Sequence, residues 1–158
     1  MKSPGPSDSP ELKLDLPAAH SAERMARAVL REFAQKKRMP KKEIETLEFV
    51  ASELLSNAVD HGGGARARTE ADLTGDVRMS LALAVRVDGW TMRVGDQGGG
   101  DPRTMQARID STEEPDIEDE RGRGFFLLGQ MLDSIHVERT ADGRGLEFTV
   151  VRTYTAKR

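Results

Sequence analysis

Two aspartate–glycine pairs set the first boundary on what this chain can become. Asp88-Gly89 follows Val77–Val87, where every second residue is large and apolar, and precedes a second alternating run of Trp90, Met92 and Val94. Alternation with period two marks a half-buried strand, and Asp-Gly between two such runs predicts a tight antiparallel hairpin. Asp142-Gly143 repeats the arrangement between Ile135–Arg139 and Leu146–Tyr154. Leu12, Leu14 and Leu16 add a short strand that Pro17 ends. Five short strands, four of them in two hairpins, predict a sheet with one face to bury.

The segments between them supply the cover. Ser21 is read as the N-cap of a helix over Ala22–Lys37, with Ala22, Met25, Ala26, Val29, Leu30 and Phe33 on one stripe. A second helix over Lys41–Asp60 repeats Ile44, Leu47, Ala51, Leu54 and Ala58 at spacings of three and four, and stops at Gly62-Gly63-Gly64. A third is read over Gly124–Asp133. The order β, α, α, β, β, long loop, α, β, β predicts an α+β sandwich: a mixed, mostly antiparallel sheet with helices packed on one face.

Composition narrows the chemistry. The 158 residues, 37% of them hydrophobic, suit one domain over residues 11–158, after a Pro/Ser-rich tail at 1–10 read as disordered. With no cysteine, thiol catalysis, iron–sulfur clusters and sulfur-ligated zinc are excluded. His20, His61 and His136 are scattered, so an all-histidine metal site is not expected. A net charge of −3 argues against direct nucleic-acid binding. There is no apolar run near the roughly 20 residues of a membrane helix and no signal-peptide core, so a cytoplasmic protein away from the membrane is expected.

Three motifs carry chemistry. Glu53 and Asn57 are four residues apart on the second helix and share a face, where a carboxylate and a carboxamide can position a hydroxyl and ligate Mg²⁺. Gly95-Asp96-Gln97-Gly98-Gly99-Gly100 follows a strand; a carboxylate there can accept from an exocyclic amine while glycine lets a ring approach the backbone. Gly122-Arg123-Gly124 opens a helix, and free amides at a helix start make an anion site. Between the last two, Asp101–Arg121 is read as a long loop with six acids between Ser111 and Glu120. Each motif alone also fits an ordinary helix face, turn or hinge.

Together and in this order, the motifs resemble the GHKL (Bergerat-fold) ATPases, and within them the anti-sigma factor serine/threonine kinases. Glu53-xxx-Asn57-Ala58-xx-His61-Gly62 is similar to the N box, Asp96-x-Gly98-x-Gly100 to the first glycine box, and Gly122-Arg123-Gly124-xx-Leu127-Leu128 to the second. The resemblance implies ATP and Mg²⁺ as cofactors. It implies Glu53 as general base, Asn57 as the Mg²⁺ ligand, Asp96 at the adenine amine, and Gly98 and Gly100 shaping the pocket. It implies Gly122, Arg123 and Gly124 at the phosphates, Thr149 near adenine, and residues 101–121 as an ATP lid. Arg27 stands where the family docks protein partners. The implied activity is phosphorylation of a STAS-type anti-anti-sigma protein, combined with sequestration of a sigma factor by a homodimer. The alternative is a non-catalytic nucleotide-binding module that acts by sequestration alone.

Overall fold

The computed structural model describes residues 10–62, 77–98, 100–111 and 120–154, the side chains of residues 61, 62 and 120–123 excepted. The tail up to Ser9, the stretch 63–76 and the acidic run 112–119 lie outside the described residues. The elements run β1 (Leu12–Pro17), α1 (His20–Lys36), α2 (Lys41–Asn57), a π-helical turn (Ala58–Gly62), β2 (Arg78–Arg86), β3 (Gly89–Gly95), α3 (Pro102–Asp110), α4 (Glu120–Met131), β4 (Ser134–Arg139) and β5 (Leu146–Thr153). The five strands form one sheet in the order β1-β2-β3-β5-β4. All four ladders are antiparallel. The α+β sandwich is as expected, with a sheet that is antiparallel throughout.

The alternation in each strand decides which face the helices cover. Leu16, Met79, Leu81, Leu83, Trp90, Met92, Val94, Phe148 and Val150 are buried, and they meet Ala22, Ala26, Leu30 and Ala34 of α1 and Leu47, Val50, Ala51, Leu54 and Leu55 of α2 in one core. Alanine at three of the four buried apolar positions of α1 lets that helix lie close against α2. α4 adds Phe125 and Leu128, with the Phe125 ring stacked on Phe148 at 5.7 Å.

Local chemistry places several boundaries away from the sequence reading. α1 begins two residues before Ala22; its N-cap is Ala19, with no side-chain cap, and Ser21 lies inside the first turn. The β2–β3 turn is Val87-Asp88, one residue earlier than Asp-Gly suggested, because Arg86 pairs with Gly89. Gly89 is needed for another reason: a Cβ there would lie 2.1 Å from the Arg152 carbonyl oxygen of β5. The β4–β5 connection spans 140–145 rather than two residues, and Gly143 takes a positive φ of 75° within it. The segment read as a loop from Asp101 opens with a helix, α3, capped by Asp101 accepting from the Arg103 amide at 3.0 Å, with Pro102 at its start. α3 closes the outer edge of β4: the Gln106 carboxamide donates to the Ile135 carbonyl (3.0 Å) and accepts from the Val137 amide (2.8 Å), which occupies groups an edge strand otherwise leaves open.

A buried ion pair ties the chain's end to its middle. Arg152 of β5 is bidentate to Glu43 of α2 (2.7 and 2.9 Å) and donates to the Met131 carbonyl at the end of α4. Its loss leaves a buried carboxylate unpaired. Arg152→Ala is therefore expected to cost about 3 kcal/mol, read as a lower urea midpoint with an unchanged slope; an unchanged midpoint would contradict this.

Candidate functional site

α2 presents Glu53 and Asn57 one turn apart on the same face, as their spacing requires. Both are half-buried. Burial, and then the nearby Glu23 carboxylate, hold the Glu53 carboxyl above the usual range for glutamate. The Asn57 side-chain nitrogen is buried and has no hydrogen-bond partner among the described residues. Such a group is costly without a partner, so its place one turn from Glu53 fits a site completed by a ligand. The helix then continues as a π-helical turn at Ala58–Gly62, a geometry found frequently at functional sites and invisible to a 3.6-residue pattern.

Gly124 explains why glycine recurs at the start of α4. A Cβ at this position would lie 2.7 Å from Glu53 Oε2. The carboxylate thus occupies the space a side chain would need, and α4 and α2 meet at that atom. Because α4 begins at Glu120, the amides of residues 120–122 precede its first intrahelical donor. Gly122 contributes one of them. Gly124 falls outside this set, so its role is close approach to Glu53 rather than the donation of a free amide.

Asp96 has its own set of contacts. It is buried at the end of β3. Its Oδ1 accepts from the Gly98 amide and from the Leu146 amide, each at 3.0 Å, and its own amide donates to the Leu146 carbonyl. The first contact is an Asx turn; the second stitches the start of β5 to β3. Gly100 packs over Leu146, where a Cβ would be 3.0 Å from Cδ1. Gly145 lets the strands meet, since a Cβ there would be 1.8 Å from the Asp96 carbonyl oxygen. Gly145 and Leu146 were not singled out from sequence; their signal was glycine immediately before an apolar strand.

One expected site residue lies elsewhere. Thr149 pairs with Arg93 and with His136 on the sheet face away from the helices. Phe148 and Val150 on either side of it are buried in the core, so alternation turns Thr149 from Asp96, and the β5 residue that reaches Asp96 is Leu146. Arg27, expected to meet a protein partner, lies on α1 with its side chain 41% exposed and its Nε 3.5 Å from Glu23 on the preceding turn. Of the arginines near the expected lid, Arg103 and Arg108 belong to α3, docked on β4.

The fold brings Glu53 of α2 against Gly124 of α4, with Asn57 one turn further along α2, while Asp96 ties the end of β3 to the start of β5. The sequence matches the histidine kinase-like ATPase domain over residues 16–150. The chain belongs to that family. A histidine kinase-like ATPase domain implies ATP binding. Curated protein sequences give no significant match. Among solved structures, this ATPase domain is similar to a chain of the SiaB-SiaC complex from Pseudomonas aeruginosa, with a TM-score of 0.64 and 16% identity over 92% of this chain and 91% of that one. At that identity the likeness is one of fold. Among the described residues no helix is long and apolar enough to cross a membrane.

Proposed function

We propose that this ATPase domain is a serine/threonine protein kinase of the anti-sigma type, which phosphorylates a STAS-type anti-anti-sigma protein and sequesters a sigma factor. The observation that carries the reading is the meeting of Glu53 with Gly124, which sets a carboxylate with raised proton affinity beside the amides that open α4. A general base works best when its pKa is lifted toward neutrality. Glu53 takes the proton of the acceptor hydroxyl as its oxygen bonds to the γ-phosphorus and the bond to the β-phosphate oxygen breaks, releasing ADP. Asn57 could offer its carboxamide oxygen to Mg²⁺, which would supply charge neutralisation at the phosphates, and its unpartnered side-chain nitrogen calls for an acceptor such as a phosphate oxygen. Asp96, held by two backbone amides, would receive the adenine amine; Gly98 and Gly100 leave room beside it. The amide of Gly122 would face phosphate, with Arg123 beside it. A fold shared with a chain from a two-protein complex supports a protein partner.

The test is transfer of labelled phosphate from ATP, with Mg²⁺, to the STAS-domain protein encoded nearest this chain. Phosphate on a serine or threonine of that protein is the expected result. Tight binding of ATP and partner without transfer would overturn the kinase reading in favour of a sequestering module.

A further inference from the structure

The connection from β4 to β5, residues 140–145, ends against Asp96. Thr140 is half-buried, residues 141–144 are exposed and Gly145 is buried again. The Thr140 amide donates to the Gly145 carbonyl at 2.9 Å, and the Thr140 carbonyl accepts the Gly143 amide at 2.8 Å. The Gly145 amide donates to the Thr140 hydroxyl at 3.0 Å rather than to its carbonyl. That hydroxyl in turn donates to Asp142 Oδ1 at 2.6 Å, and the same oxygen accepts the Arg144 amide at 2.9 Å. The Thr140 hydroxyl first, and then the Arg144 amide, hold the Asp142 carboxyl below the usual aspartate range. Both ends of the Thr140 side chain bear on Asp96. The hydroxyl holds Gly145, which lies so close to the Asp96 carbonyl that a Cβ would be 1.8 Å from its oxygen. The methyl faces Gly95, the residue before Asp96, where a Cβ would be 3.8 Å from Thr140 Cγ2. Leu146, directly after Gly145, gives its amide to Asp96 Oδ1 and its carbonyl to the Asp96 amide, each at 3.0 Å.

We propose that Thr140 is a specificity-determining positioning residue, which through Gly145 and Leu146 fixes the Asp96 carboxylate where it takes an adenine amine in preference to a guanine carbonyl. This rests on the proposed adenine role of Asp96. The two purines differ at one exocyclic position, an N–H₂ donor in adenine and an oxygen acceptor in guanine. A carboxylate accepts from the first and meets the second oxygen to oxygen. Such a choice depends on where the carboxylate stands, because a hydrogen bond weakens steeply as it bends. Two amides orient Asp96 Oδ1, those of Gly98 and Leu146, and the second belongs to the strand that the turn delivers. Loss of the Thr140 hydroxyl leaves the Gly145 amide without its acceptor and frees the start of β5 beside the Leu146 amide. Asp142 acts one step further out, by aiming the Thr140 hydroxyl.

The experiment measures ATP and GTP affinity calorimetrically, with Mg²⁺, on the full chain, and checks folding by urea midpoint. Thr140→Val keeps the methyl and loses the hydroxyl; the preference for ATP over GTP is expected to fall about fivefold, the effect of one net hydrogen bond. Thr140→Ser keeps the hydroxyl and should hold the preference within about twofold of wild type. A Thr140→Val variant that keeps both affinities, or loses both equally, would overturn the proposal, since a merely structural role leaves the ratio alone. A Thr140→Ser preference as low as that of Thr140→Val would overturn it too. If Thr140→Val does not fold, Asp142→Ala decides: a preference lowered about threefold supports the role, and an unchanged one removes it. Asp96→Asn keeps the two readings apart. It should abolish the preference; if it does not, the adenine reading fails and the proposal with it. If it does while Thr140→Val leaves the ratio unchanged, only the positioning role fails.

Discussion

Glu53→Gln is expected to lower phosphoryl transfer by about 10²–10⁴-fold, the usual worth of a positioned base, while ATP still binds. It is also expected to make the protein more stable near pH 7. The folded state holds the Glu53 proton more tightly than the unfolded chain does, because the carboxylate is partly desolvated and Glu23 is near. Ionising it therefore costs stability as pH rises through the unfolded value of about 4.3. That cost is complete once pH passes the raised folded value. Glutamine has no charge to bury, so the gain is absent near pH 4 and full at neutrality. Glu53 keeps some contact with solvent, which limits the gain to about 1 kcal/mol or less, or about 2–4 °C in Tm at this chain length. Melting curves at the two pH values check it. A variant less stable than wild type at neutral pH would mean that the Glu53 charge is compensated rather than exposed to a like neighbour. Such a loss of activity with a gain in stability is the usual signature of a strained functional group.

The second large effect concerns Asp96. Asp96→Ala removes the acceptor of two backbone amides, one of which ties β5 to β3. Each unsatisfied buried amide costs roughly 1–3 kcal/mol, so the alanine variant is expected to lose both stability and ATP binding. Asp96→Asn separates the two. Its carbonyl oxygen can still receive the Gly98 and Leu146 amides, so its urea midpoint should stay near wild type. Its NH₂ would meet the adenine amine donor to donor, and ATP affinity should fall by about 100-fold, the scale of two to three kcal/mol for a mispaired group. An asparagine variant that binds ATP like wild type would remove Asp96 from the adenine role and leave it as a strand tie.

The strands and the apolar faces of α1 and α2 were legible because burial imposes a period. Leu12–Leu16, Val77–Val87 and Leu146–Tyr154 alternate since one side of each meets the core. The Glu53–Asn57 pair was legible for the same reason, since four residues on a helix return to one face. What the sequence hid depended on contacts between distant segments. Gly89 reads as a turn residue, yet its reason is the Arg152 carbonyl sixty-odd residues away. Gly124 reads as a phosphate-loop glycine, yet it is small because Glu53 fills its side-chain space. Thr149 was expected near adenine from the family resemblance, but the parity of the strand, fixed by Phe148 and Val150, turns it to the other face. α3 was missed because only Met105 of its nine residues is buried: it docks largely through the Gln106 carboxamide, which leaves little apolar stripe to see.

The central claim is that α2, the end of β3 and the start of α4 form one Mg²⁺-dependent ATP site. Calorimetric titration of ATP with and without Mg²⁺, on wild type and Asn57→Ala, tests it most directly. Wild type should bind ATP more tightly with the metal, and Asn57→Ala should lose most of that difference. Absence of binding by the wild type, or an undiminished Mg²⁺ effect in Asn57→Ala, would contradict the account.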